Sequence, residues 1–216
     1  MNNIVESYKE INSNIKKLNP RQEVKVIAIS KTFTAEYIKP LIDFGHNHFG
    51  ENKVQEAISK WRLIKKEKPL IKLHMVGKLQ SNKAKNAFEI FDFIHSLDSK
   101  KLADIFSHCE SNNSKKLKYF IQVNIGNEIQ KSGLPVAEVD EFYNYCTYEK
   151  NLNVIGLMAI PPNDKNPNKY FSELDILNKS LSLKELSMGM SGDYEVAINF
   201  NSTFVRIGSL IFGQRA

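Results

Sequence analysis

The chain has 216 residues, 42% of them apolar and 25% charged, with a net charge of +6 from 30 basic and 24 acidic side chains. This composition excludes a disordered or disulfide-stapled chain, and no apolar stretch approaches the ~20 residues that span a membrane. Only Arg21, Arg62, Arg206 and Arg215 are arginines, and the lysines are interleaved with glutamate, so no nucleic-acid partner is expected.

The first element is an amphipathic helix over 2–18. Its charges leave no signal-peptide core, which predicts a cytoplasmic protein with no membrane anchor. A strand follows at 24–30, where a period of two places Lys25, Ile27, Ile29 and Lys31 on one side and Val24, Val26, Ala28 and Ser30 on the other. Both sides are largely apolar, as in a parallel sheet covered by helices. Lys31 then stands at the C-terminal edge of that sheet, where such folds place ligands.

Helical and strand patterns alternate from there. Helices are predicted over 35–44, 52–67, 81–88, 99–110, 135–149, 168–180 and 192–199, and strands near 47–49, 70–75, 91–95, 118–124, 153–158, 185–188 and 203–207. Cys109 and Cys146 fall far apart, outside any CxxC spacing, and read as buried reduced thiols. No Gly/Ser linker or low-complexity block interrupts the series, so residues 1–216 read as one domain. Eight strands alternating with helices predict a closed (β/α)8 TIM barrel with an extra N-terminal helix, with an open doubly wound sheet as the competitor.

In such a barrel the C-terminal strand ends share one face. Two ends carry the clearest chemistry. SMGMSGD (187–193) and VRIGSLIFG (205–213) both leave a strand through Gly and Ser towards a helix, and neighbouring loops of this kind can hold a phosphate on backbone N–H groups. Ordinary turns use the same residues. Arg206 ends the last strand on the pocket side and needs either an acidic partner, for which Glu51 and Asp193 are the candidates, or a ligand acceptor. His46 and His48 lack a third clustered ligand, so no metal is expected. His74 is placed at the pocket edge, and His95 and His108 read as structural. No GxSxG elbow or Walker loop is present, which sets aside serine hydrolases and nucleotide triphosphatases.

Seven collinear motifs carry a resemblance. AISKTF (28–33), FGENKVQE (49–56), HMVGKLQSNK (74–83), QVNIGNEIQKSG (122–133), GLMAIPP (156–162), LSMGMSGD (186–193) and STFVRIGSLIFGQR (202–215) resemble, in order, the pyridoxal phosphate homeostasis protein family over nearly the whole chain. The resemblance implies a barrel like the N-terminal domain of alanine racemase. It also implies that Lys31 forms a Schiff base with pyridoxal 5'-phosphate, that Asn52 lies beside the cofactor ring, and that Ser191 and the backbone of Gly208 and Ser209 hold the phosphate. Arg206 then faces the pyridine nitrogen. Departures are small: Asn201 stands where glycine is usual, and asparagine also tolerates a positive φ; Lys78 occupies a position where other residues are common.

The function implied is a non-catalytic cofactor carrier or buffer, expected to be monomeric, that supplies pyridoxal phosphate-dependent apoenzymes. The alternative is a small amino-acid racemase. A racemase needs a second base opposite Lys31, which in racemases comes from a tyrosine of an additional C-terminal β-domain. This chain ends at Ala216, so that domain is not expected, and His74 and Tyr194 are the possible substitutes. A sugar-phosphate barrel enzyme is a third reading, and it leaves Lys31 without an aldehyde.

Overall fold

The computed structural model describes residues 3–163 and 166–214. Eight strands, β1 (Lys25–Ile29), β2 (His48–Glu51), β3 (Lys72–Met75), β4 (Phe93–Leu97), β5 (Lys118–Val123), β6 (Val154–Ala159), β7 (Glu185–Met190) and β8 (Phe204–Ile207), pair in parallel in chain order. The sheet closes where β1 pairs with β8, with Lys25 opposite Phe204 and Ile27 opposite Arg206. The doubly wound alternative is thereby excluded.

The outer layer is helical: α1 (Ile4–Leu18), α2 (Ala35–Asp43), α3 (Val54–Glu67), α4 (Ala84–Ile90), α5 (Lys100–Ser111), α6 (Val139–Asn144), α7 (Pro167–Ser180), α8 (Tyr194–Asn199) and α9 (Ser209–Phe212). Asn3 caps α1 by accepting a hydrogen bond from the Glu6 amide at 3.4 Å, and Ile4, Ile11 and Ile15 form its buried face. The predicted helix over 135–149 is real but broken. It runs as a 3₁₀ turn (Val136–Glu138), then α6, then a π-helical stretch (Tyr145–Glu149). The helix α9 reads as loop in the sequence, since four residues are too few to show a period.

Strand β1 explains the two-sided apolar pattern. Val26 and Ala28 pack outwards into the layer between barrel and helices, while Ile27 and Ile29 point inwards with Phe93, Phe120, Met158 and Phe204. Each fully buried aliphatic or aromatic side chain contributes roughly 1.5–3 kcal/mol over its exposed state. The interior is therefore a packed core, and a cavity opens above it at the C-terminal strand ends. Among the described residues no helix is long and apolar enough to cross a membrane, and both cysteines are buried and unbridged.

Candidate functional site at the barrel mouth

A cavity of about 430 Å³ opens at the C-terminal strand ends, and Lys31, Ser191, Arg206, Gly208 and Ser209 all line it, with Ile29, Val76 and Ile160 among its apolar walls. Five of the six residues singled out in the sequence thus come together. Asn52 does not line this cavity. It borders an adjoining depression with Met75, Lys78 and Leu79, and its Oδ1 is buried without a hydrogen-bond partner.

The position of Lys31 is set by the turn Ser30–Lys31–Thr32. The Ser30 amide donates to the Gly50 carbonyl at 3.0 Å and the Phe33 amide to the Ser30 carbonyl at 3.2 Å. Thr32 has a φ of +72°, unusual for a β-branched residue, and its amide donates to Glu56 Oε1 at 2.6 Å. Burial raises the Glu56 carboxyl, but the Thr32 amide and Lys60 outweigh it and hold the group below the usual carboxylate range.

Lys60 of α3 connects the whole support. Its Nζ donates to the Ser30 carbonyl at 2.8 Å, to Glu51 Oε1 at 2.9 Å and to Glu56 Oε1 at 3.0 Å. Ser30 Oγ and Trp61 Nε1 also donate to Glu51 Oε1, at 2.8 and 2.9 Å. Lys60 and Glu51 are nearly enclosed, with side-chain exposures of 7% and 0%. The sequence reading missed this cluster because Lys60 sits in a lysine-rich helix that reads as solvated. The signal was present: Glu56 and Lys60 have the i, i+4 spacing of a helical ion pair, and Trp61 follows directly.

Arg206 is only 4% exposed, yet it forms no ion pair with a carboxylate among the described residues. Its Nη1 donates to the Ser187 carbonyl and to Ser187 Oγ, both at 2.8 Å, and its Nη2 donates to the Ala159 carbonyl at 2.9 Å. Both expected acidic partners are engaged elsewhere. Glu51 lies on the helix side of the barrel wall, and Asp193 Oδ1 accepts from the Met190 amide at 2.6 Å, acting on Arg206 only through its field. Burial brings the guanidinium down to about 10, partly opposed by Asp193, so Arg206 stays charged at neutral pH.

The two Gly/Ser loops do meet. Ser191 Oγ accepts from the Gly208 amide at 3.4 Å. Gly189 turns the first loop with a φ of +88°, and a Cβ there would lie 2.6 Å from Ala197 Cβ, so the close approach requires glycine. In the first turn of α9 the leading amides have no partner within the helix. The final motif extends to Arg215, which lies outside the described residues.

Of the histidines, His74 departs from expectation. His46 and His48 cannot pair on a metal: His46 packs outwards, its Nδ1 2.9 Å from Tyr8 Oη and its Nε2 2.7 Å from the His48 carbonyl, while His48 points into the barrel. His74 does not touch the mouth cavity. It is fully buried in the barrel interior, stacked on Phe93 with centroids 4.2 Å apart, and His95 stacks likewise on Phe120 at 4.3 Å. Tyr194, the other candidate second base, has its hydroxyl bonded to Asn14 of α1 and to Glu195, at 2.9 and 3.2 Å. An amine, a guanidinium, a hydroxyl and loop amides around one cavity can capture a carbonyl carbon while binding an anion and an electron-rich ring atom.

Comparison with known proteins bears on the chain as a whole. The family model described as the alanine racemase N-terminal domain matches residues 7–216. A pyridoxal phosphate homeostasis protein of Vibrio alginolyticus is 39% identical over 207 residues, covering 90% of this chain and 88% of that protein. One from Aquifex aeolicus is 38% identical over 200 residues, covering 88% and 87%. PipY of Synechococcus elongatus, solved with PLP bound, superposes with a TM-score of 0.82 at 32% identity, covering 94% of this chain and all of that one. With a shared barrel and identity at this level over nearly its full length, the chain belongs to the pyridoxal phosphate homeostasis protein family, within the alanine racemase N-terminal domain family.

Proposed function

We propose that this protein is a single-domain, monomeric carrier of pyridoxal 5'-phosphate in the cytoplasm, which bonds the cofactor through Lys31 and yields it to apoenzymes without strong catalysis of its own. The observation that carries the reading is the meeting of Lys31, Arg206 and Ser191 around one cavity of about 430 Å³. The donor set fits the cofactor: an amine for the aldehyde, a cation for the ring nitrogen, and a hydroxyl with loop amides for the phosphate. When bound, the cofactor supplies an aldehyde that amines capture and a ring that withdraws electrons.

The residues of the chain divide the work. Lys31, on its hydrogen-bonded turn, would present Nζ to the aldehyde carbon. Ser191 and the amides of Gly208 and Ser209 would hold the phosphate, while Asn52 borders a different depression and would reach the ring only from outside this cavity. Arg206 would donate a hydrogen bond to the ring nitrogen and, being already charged, would disfavour a proton there. A ring kept neutral stabilises a Cα carbanion poorly, which favours storage over turnover. Among the described residues lining the cavity, Lys31 is the one side chain able to take up a proton reversibly near the reacting carbon, since His74 and Tyr194 point elsewhere.

The names of the similar proteins support the homeostasis role, and the match to the alanine racemase N-terminal domain keeps a small racemase as the alternative. One preparation tests both. Borohydride reduction of the cofactor-loaded protein followed by peptide mapping should place a pyridoxyl group on Lys31, and the Lys31→Ala variant should take up no label there. A label elsewhere with Lys31 unmodified overturns the assignment. L- and D-alanine in deuterated water should exchange at Cα slowly or not at all; interconversion at roughly 1–10³ per second would make the protein an enzyme.

A further inference from the structure

The interior of the barrel contains a continuous hydrogen-bonded line that the proposed function does not use. His48 Nδ1 lies 2.9 Å from His74 Nε2, His74 Nδ1 lies 2.9 Å from His95 Nε2, and His95 Nδ1 lies 2.9 Å from Ser187 Oγ. Ser187 Oγ in turn accepts from Arg206 Nη1 at 2.8 Å. His74, His95 and Ser187 are fully buried, and His48 is half-buried at the N-terminal end of β2. The line thus crosses the barrel from its floor to the cation at its mouth.

Its direction follows from hydrogen-bonding capacity. A guanidinium only donates, so Ser187 Oγ accepts from Arg206 and its own proton goes to His95 Nδ1, the other partner of that oxygen. A neutral His95 then carries its proton on Nε2 and donates to His74 Nδ1. The same step repeats to His48, whose Nε2–H is left for solvent at the floor. Every ring therefore turns a lone pair towards Arg206 and an N–H away from it. Burial holds His74 and His95 well below the usual imidazole value, so the rings are neutral at pH 7.

We propose that Ser187, His95, His74 and His48 form a one-way chain of neutral hydrogen bonds that substitutes for the absent carboxylate partner, orienting Arg206 and holding it ionised against the cofactor ring. The aligned dipoles place their negative ends at the guanidinium. A carboxylate in this interior would have to be stripped of water on all sides, and it would also draw the guanidinium away from the ligand. Ser187 and His95 are positioning residues for Arg206. The contact between Arg206 and the ring rests on the function proposed above, whereas the tautomer pattern does not.

Nuclear magnetic resonance of ¹⁵N-histidine-labelled protein, without and with pyridoxal phosphate, tests the chain. At pH 7 the ligand-free wild-type protein should show His48, His74 and His95 neutral with the proton on Nε2. A proton on Nδ1 of His95, or an imidazolium among the three, overturns the chain whatever the protein binds. Ser187→Ala should abolish the tautomer preference of His95, weaken pyridoxal phosphate binding roughly tenfold, and shift the pH midpoint of the bound chromophore. Wild-type tautomers as stated, with affinity and midpoint unchanged in Ser187→Ala, would overturn the role towards Arg206. Failure of the wild-type protein to bind pyridoxal phosphate would remove the carrier reading while leaving the tautomers to decide the chain.

Discussion

Lys31 stands on a turn held from the helix side of the barrel wall by charged groups, whereas Arg206 is held from inside the barrel by neutral ones. On the helix side Lys60 lies between Glu51 and Glu56, and each contact at 2.9–3.0 Å is a full ion pair. Inside, Arg206 meets two carbonyls and the Ser187 hydroxyl. The difference reflects where water can reach. Glu56 keeps a side-chain exposure of 26%, so the outer cluster ends in solvent and can share its charge. The interior around Arg206 is lined by Phe120, Phe204 and Met158, and its line of rings reaches partly exposed His48 only at the opposite end of the barrel.

The largest expected effect breaks the charged support. Lys60→Met leaves Glu51 as a buried carboxylate without its counter-ion and should lower unfolding free energy by about 3–5 kcal/mol in denaturant titrations. The double variant Lys60→Met/Glu51→Gln should recover part of that loss, because the two changes remove one interaction. If the single variant is as stable as wild type, the cluster does not support the turn.

An acid titration of stability separates the two supports. Burial brings His46 and His48 from 6.5 to about 4; at His48, Lys25 and Lys72 lower the value further and Glu23 and Asp92 oppose them. Folded values below unfolded ones mean that the unfolded chain binds more protons in this window. The stabilisation is therefore complete above pH 6.5 and is lost as pH falls towards 4, by at most about 1.4 kcal/mol per pH unit per ring. Carboxylates such as Glu56 lose their contribution only at lower pH. A melting temperature that falls between pH 6.5 and 5, with the slope reduced in His48→Phe, assigns that window to the histidines; a flat profile contradicts their burial.

The smallest effect concerns a mouth residue that supports no other element. Ser191 accepts one long hydrogen bond, from Gly208, so Ser191→Ala should leave stability unchanged while weakening pyridoxal phosphate binding about tenfold, or ~1.4 kcal/mol. Equal affinity for pyridoxal with and without its phosphate would remove Ser191 and its loop from the site.

The strands and the mouth were legible because each is local. The run VKVIAIS announces a strand buried on both faces, and Gly and Ser after β7 and β8 announce the loops that line the mouth cavity. Asn201, read as a tolerated substitute for glycine, does adopt a φ of +64°. What could not be read depends on strand tilt and register. His48 and His74 stand two residues apart in the β2–β3 pairing, where His48 faces Lys72 and Gly50 faces His74, and only the stagger of a closed barrel brings their rings together. The pairing of Arg206 with Ser187 likewise depends on a register shift between β7 and β8.

The left-handed backbone at Thr32 has a consequence for the timing of exchange. With Glu56 and Lys60 fixing the turn during folding, Lys31 is presented on a backbone already ordered before a ligand arrives. The entropy of ordering that turn is charged to folding and not to association. Capture and release of the proposed ligand would then require no freezing or melting of this turn, and the heat-capacity change of association should reflect chiefly the surfaces that ligand and cavity cover. On the function proposed above, a turn ordered in advance would leave the residence time to bond exchange at Nζ and to the entry of water.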